Sequence, residues 1–317
     1  MSKAVVLQGG GYKGVYQYGI LKTMKIKYDE IYGTSVGALN GLYIASDYSP
    51  LIERVWEKVI NEGFRFHSSK WYNYPLVIIN KRLGVYNNNL SKELDKMIET
   101  IPNIRPFYVT TVDYLSGNIY YVRLEKFRNN GDDYYEERWY KRNGKFDDNP
   151  EIKRSNSYRF AQIITASTSV PGAFEPIQID GKMLYDGGVR DIAPLNGAVI
   201  NGASDITLIL CSPGEPRKLD KIENTLRVVT RTIDILTNEV ANEDIRKFME
   251  YNDIAKRFPE FKDKLRQIDL KIFKPEFSLL NDSLNPDKKS LLVAFDMGVR
   301  HAKDVGLENI RPHRMNK

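Results

Sequence analysis

Residues 28–41 read YDEIYGTSVGALNG, and this stretch decides the fold. A β-branched and aromatic run, Tyr28–Thr34, meets a glycine-flanked serine, and a small-residue segment, Val36–Ser46, follows it. The first part has the composition of a buried strand and the last that of a closely packed helix. Gly33-Thr34-Ser35-Val36-Gly37 therefore fits G-x-S-x-G at a sharp strand-to-helix turn. Such a turn lifts a serine hydroxyl out of the sheet and places it at a helix N-terminus. Glycines two residues to either side are needed because side chains there would collide with strand and helix. The bland alternative is a serine that simply caps the helix beginning at Val36.

The same grammar precedes it. Lys3–Gln8 is a short apolar strand, and Gly9-Gly10-Gly11-Tyr12-Lys13-Gly14 leads into a helix over Tyr12–Lys25. Strand, glycine turn and helix, repeated twice, predict an α/β fold with a mostly parallel central sheet. Gly9, Gly11 and Gly14 also satisfy G-x-G-x-x-G, the dinucleotide fingerprint. That reading needs an acid at the end of the second strand, whereas Asp29 and Glu30 stand at its start. The other use of bare glycine N–H groups is to converge on a developing oxyanion. Both glycine turns would open at the edge of the sheet where ligands sit in such folds. Lys13 adds positive charge there, although an exposed lysine is expected to be solvated.

Further along, helices are expected over Leu51–Asn61, Asn89–Glu99, Arg159–Ser169, Leu226–Tyr251 and Lys288–Val305. Strands are expected over Phe107–Asp113, Gly117–Leu124, Asp205–Cys211 and Leu270–Lys274, with a hairpin around Gly181. Phe64–Asn80 is aromatic and irregular, and residues 125–157 are crowded with charge and tyrosine, as in a solvated insertion. With no linker in view, residues 1–310 read as one domain carrying that insertion, and 311–317 as a tail.

The chain has 317 residues, 42% of them hydrophobic and 28% charged, which is ordinary globular composition. Its net charge is +6, but the cations are scattered, and nothing resembles a nucleic-acid-binding module. The single cysteine, Cys211, is expected to be a buried, inert thiol. Neither a signal peptide nor an apolar run long enough to span a membrane is visible, so a soluble, cytoplasmic protein is expected. No acidic or histidine cluster has metal-ligand spacing, and no cofactor is called for.

A serine nucleophile needs a base. Of the three histidines, His67 lies in the aromatic segment, His301 in the last helix and His313 near the end. None is flanked by a glycine turn or strand end, and each reads as solvated or surface-packed. Tyr185-Asp186-Gly187-Gly188 offers another candidate: a carboxylate at a strand tip with glycines permitting close approach. A carboxylate in apolar surroundings has the basicity to take a serine proton. Taken alone, it is also an ordinary Asp-Gly turn.

The ordered set GGGYKG, GTSVG and DGG, with ASTSVPGAFEP at 166–176 and DGGVRDIAP at 186–194, resembles the patatin-like phospholipase family. The likeness runs over about residues 3 to 306. It implies a three-layer α/β/α fold with a serine elbow and a metal-free lipid acyl hydrolase that works through an acyl-enzyme. Carried over by position, Ser35 would be the nucleophile, Asp186 the proton acceptor, and Gly9, Gly10 and Gly11 the oxyanion donors. Lys13, Gly14, Gly33, Gly37, Gly187 and Gly188 would support them. Departures are Gln8 where the family often has an acid, Lys13 where it often has arginine, and Asp191-Ile192 where an asparagine is common. A phospholipid or other acyl lipid is the implied substrate. Phe64–Asn80 and the tyrosine-rich 119–140 region offer an apolar mouth or membrane-contacting surface, the bland alternative being packing against the core. The rival readings are a carboxylesterase for small soluble esters and a non-catalytic lipid-binding module. Oligomeric state is left open.

Overall fold

The β-branched runs of the first half become strands because glycine turns return the chain each time to the same sheet. A computed structural model describes residues 2–62, 88–143, 145–146, 150–215, 218, 225–258, 266–280 and 286–307. The aromatic segment Phe64–Asn80 with His67, and the expected tail with His313, lie outside them. The chain runs β1 (Lys3–Leu7), α1 (Gly14–Met24), β2 (Glu30–Thr34), α2 (Val36–Ala45), α3 (Pro50–Glu62) and α4 (Asn88–Thr100). Then follow β3 (Ile104–Asp113), β4 (Ile119–Asn129), β5 (Asp132–Asn143), β6 (Lys145–Phe146), β7 (Glu151–Arg154) and α5 (Ser157–Thr168). The last part is β8 (Ile177–Ile179), β9 (Lys182–Asp186), α6 (Leu195–Ile200), β10 (Asp205–Ile209), α7 (Thr225–Arg257), β11 (Asp269–Phe273) and α8 (Lys288–Leu307).

The sheet order is β11-β10-β1-β2-β3-β4-β5-β6. The first five strands are mutually parallel, as the repeated strand–turn–helix grammar predicts. Side chains alternate across β1: Val5 and Leu7 join one core, Ala4 and Val6 the other. A strand buried on both faces needs helices on both. On one face lie α1, α2, α3, α4, α5 and α8, represented by Tyr16, Leu42, Trp56, Leu94, Ile163 and Leu291. On the other lie α6 and α7, represented by Leu195 and Phe248. This is the expected three-layer α/β/α arrangement.

One feature of β3 positions the site. Its whole length on one edge is taken by β4, from Ile104↔Lys126 to Val112↔Ile119. The other edge is shared by two strands that meet end to end. Parallel β2 stops at Thr34 opposite Thr110, and antiparallel β9 stops at Asp186 opposite Thr111. Ser35 and Asp186, 151 positions apart, are thereby delivered to adjacent places on one strand edge.

The charged stretch 125–157 differs from the solvated insertion that its composition suggests. It builds the antiparallel wing of the sheet, β4 and β5 pairing over eleven residues from Ile119↔Arg142 to Asn129↔Asp132. Several of its charges are internal. The buried Lys126 ammonium donates to the carbonyls of Ile98, Glu99 and Ile101, closing the end of α4. Glu137, also buried, accepts from Arg159 at 2.8 Å and from Ser155 at 3.1 Å. A sequence pattern scores such residues as surface, but pairing makes their burial tolerable.

Candidate active site

Ser35 closes β2 and opens α2 with φ 58° and ψ −127°. A non-glycine residue there costs about 1–3 kcal/mol and persists only when its surroundings enforce it. The enforcement is visible. The Ser35 N–H donates to the Ser167 hydroxyl at 2.8 Å, and that hydroxyl donates to the Thr110 carbonyl at 2.7 Å. The hydroxyl of Thr34 donates to the Asp191 carbonyl at 2.9 Å. A methyl group on Gly37 would lie 2.2 Å from the Leu7 carbonyl oxygen, and one on Gly33 would lie 2.2 Å from that of Gly37. Both glycines are therefore demanded by close approach, as the G-x-S-x-G pattern predicts. Gly14 is likewise fixed by contact, its missing Cβ 2.4 Å from Val36.

Asp186 is buried at the tip of β9, where its own N–H donates to the Ser169 carbonyl at 2.9 Å. Its carboxylate accepts the Gly188 N–H at 2.8 Å. Burial raises its pKa to about 7, and the neighbouring Ser35 side chain and the Gly188 N–H pull back only part of that rise. Gly187 permits this arrangement, since a Cβ there would strike Thr110 at 2.7 Å. Gly188 does the same against Ile192, at 2.4 Å.

Ser35 and Asp186 open into a cleft, continuous with solvent, whose lining includes Gly9, Gly10 and Gly11. The glycines are not equivalent. The N–H of Gly9 donates to the Ile192 carbonyl at 2.9 Å. That corrects its expected place as an oxyanion donor: its hydrogen is already committed. Gly10 and Gly11 stand at the start of the first helical turn, where N–H groups lack intrahelical partners. Neither donates to an acceptor among the described residues. Gly11 has φ 57°, a conformation that favours glycine.

Lys13 also differs from expectation. It is buried rather than solvated, and its ammonium pairs with Asp234 of α7 at 3.3 Å. Through Ile233, Asp234, Thr237 and Asn238, α7 forms a whole wall of the cleft. The amphipathic pattern of 226–251 predicts the helix but carries no sign of this role. Two of the departures also have structural roles. Gln8 accepts the Cys211 N–H through its side chain at 2.5 Å, and Gln17 donates to the carbonyls of Gln8 and Ile209. Asp191 and Ile192 supply the carbonyls that hold Thr34 and Gly9. The buried Asp191 carboxyl is bonded by the Tyr121 hydroxyl, with Arg142 at 3.5 Å. Burial, then the nearby Asp244 charge, raises its pKa to about 7. Tyr121 and Arg142 come from the charged wing, far away in sequence, and no local motif marks them.

Cys211 is buried, and burial pushes its thiol up to about 12, in keeping with an inert role. His301 is tied to the Tyr16 hydroxyl at 2.8 Å and to Glu276 at 3.2 Å, and it does not line the cleft. Among the described residues no group of three or more His, Cys, Asp or Glu could hold a metal ion, and no helix is long and apolar enough to cross a membrane.

A serine on a strained elbow, a buried carboxyl and a glycine turn thus lie together at one edge of an α/β/α sandwich. The profile of the patatin-like phospholipase family matches residues 5–199, and the chain belongs to that family, whose members are lipid acyl hydrolases. The match ends before α7 and α8. The chain is also similar to the uncharacterized protein YjjU of Escherichia coli (strain K12), at 25% identity over 264 residues. That alignment covers 78% of this chain and 64% of the relative, so this chain spans just under two thirds of YjjU's length.

Proposed function

We propose that the chain is a serine-dependent, phospholipase A-type lipid acyl hydrolase using Ser35 and Asp186 as a dyad. The observation that carries the reading is the end-to-end meeting of β2 and β9 on β3. It sets a strained serine beside a carboxyl whose pKa of about 7 suits a general base near neutrality. In the first half-reaction the Ser35 oxygen attacks the ester carbonyl carbon while Asp186 takes the hydroxyl proton. The oxyanion is received by the N–H groups of Gly10 and Gly11, each such donor being worth roughly 3–4 kcal/mol in the transition state. The bond to the lysolipid oxygen then breaks, and Asp186 returns the proton to that leaving group. Water repeats the cycle: it gives a proton to Asp186, attacks the acyl carbon, and releases the fatty acid as Ser35 recovers its proton.

Mass spectrometry of mixed phospholipids incubated with the protein tests this. Fatty acid and lysolipid should accumulate with the native chain. Release should fall roughly 10³-fold or more with Ser35→Ala or Asp186→Asn. Unchanged release from either folded variant would refute the dyad. Turnover confined to dissolved short-chain esters would instead assign a carboxylesterase.

A further inference from the structure

We infer that the sheet edge bearing the cleft is a docking face for a phospholipid bilayer. Tyr114 and Leu115 of the turn after β3, with Val228, Ile235 and Leu236 of α7, would enter the lipid surface. This rests on the ester-hydrolase reading above and specifies the physical state of its substrate.

The two elements are independent pieces of the fold. Strands β2 and β3 are parallel and end at the same edge, so the turn after β3 flanks the site. Its Leu115 is 68% exposed and its Tyr114 46%. The turn is braced to display them. Asp113 accepts from the Leu115 N–H at 3.1 Å and from the Ser116 hydroxyl, and the Tyr114 N–H donates to the Met183 carbonyl at 2.9 Å. The Tyr114 ring packs 4.5 Å from that of Tyr185, the residue before Asp186.

The second element, α7, is seated by Ala241 and Phe248, both buried. Its earlier turns rest on the cleft through Ile233 and Thr237. They turn outward Val228 (48% exposed), Ile235 (44%) and Leu236 (59%). Residues 228 and 235 lie two turns apart on one stripe, with 236 beside them. Exposed apolar side chains on two elements that border one site are not the scattered exposure of an ordinary surface.

Charge favours an anionic bilayer over a neutral apolar partner. The exposed Arg190 guanidinium reaches the Gly117 carbonyl at 2.5 Å, placing a cation beside the Leu115 turn. The same stretch of α7 carries Arg231, and its acids are Asp234, paired with Lys13, and Glu239 one turn past Leu236. Apolar insertion flanked by cations is the pattern of interfacial binding.

The test uses Ser35→Ala protein, so that vesicles are not consumed, sedimented with phosphatidylcholine vesicles containing about one-third phosphatidylglycerol. Leu115→Glu with Leu236→Glu should lower partitioning roughly tenfold or more, each alone by a smaller factor. With Ser35 intact, the same pair should depress hydrolysis of vesicle lipid and leave turnover of a dissolved short-chain ester unchanged. Should the Glu pair melt early, the Leu115→Gln, Leu236→Gln pair is read instead. Sedimentation equal to the parent's overturns the proposal. So does a parent that ignores vesicles and elutes as a dimer split by the substitutions, a result that assigns the face to a second copy. Vesicle binding without hydrolysis of any ester by the native chain would end the functional reading and leave the docking face standing.

Discussion

Replacing Asp186 with Asn should abolish ester hydrolysis and at the same time stabilise the fold at alkaline pH. The carboxyl is buried, and its pKa is lifted from 3.8 to about 7. Between those values the folded chain keeps a proton that the unfolded chain has released, so stability falls as pH rises through that window. At about 1.4 kcal/mol per pH unit, ionising Asp186 in place costs the folded state about 4 kcal/mol above pH 7. From about pH 5 to about pH 8 the native chain should lose roughly 2–3 kcal/mol through this group alone. Asn keeps the shape, and its carbonyl oxygen can still accept the Gly188 N–H, but it never ionises. Equilibrium urea unfolding at the two pH values gives the comparison. The variant's advantage should grow by roughly 2–3 kcal/mol at the higher pH, Asp191 contributing equally to both proteins. The native kcat/KM should rise through about pH 7 as Asp186 loses its proton. An advantage independent of pH, or a native profile already flat at pH 5, would refute the buried-base argument.

Three further outcomes follow from packing and pairing. Gly37→Ala, whose methyl would sit 2.2 Å from the Leu7 oxygen, should destabilise by about 3 kcal/mol in urea unfolding or prevent folding. Lys126→Met leaves three carbonyls at the end of α4 and Asp133 without their ammonium partner, and should cost about 3 kcal/mol by the same assay. His301→Gln should keep lipid hydrolysis within about twofold, because His301 is engaged by Tyr16 and Glu276; a triad base would cost roughly 10³-fold or more.

What could be read from the sequence was local. The elbow at Ser35 is set by glycines two residues away, and the β1 and β2 runs mark themselves by β-branched composition. The meeting of Ser35 with Asp186 was legible only through a recognised order of motifs, since it depends on β9 pairing with the far end of β3. Gly9 shows the limit more sharply. Nothing local distinguishes its N–H from those of Gly10 and Gly11, and the Ile192 carbonyl that occupies it arrives from 183 positions away. The buried Lys126 and Glu137 were hidden for a related reason. A charge reads as polar until its partner is placed, and the partners sit on α4 and α5. The α7 wall was missed because periodicity reports an apolar stripe without saying what the other faces border.

The most direct measurement is the site at which a fluorophosphonate probe bonds to the native protein, located by mass spectrometry of its peptides. One adduct is expected, on the peptide carrying Ser35, slowed severely in Asp186→Asn and lost in Ser35→Ala. An adduct on another residue, or lipid hydrolysis that persists in the unlabelled Ser35→Ala protein, would contradict it.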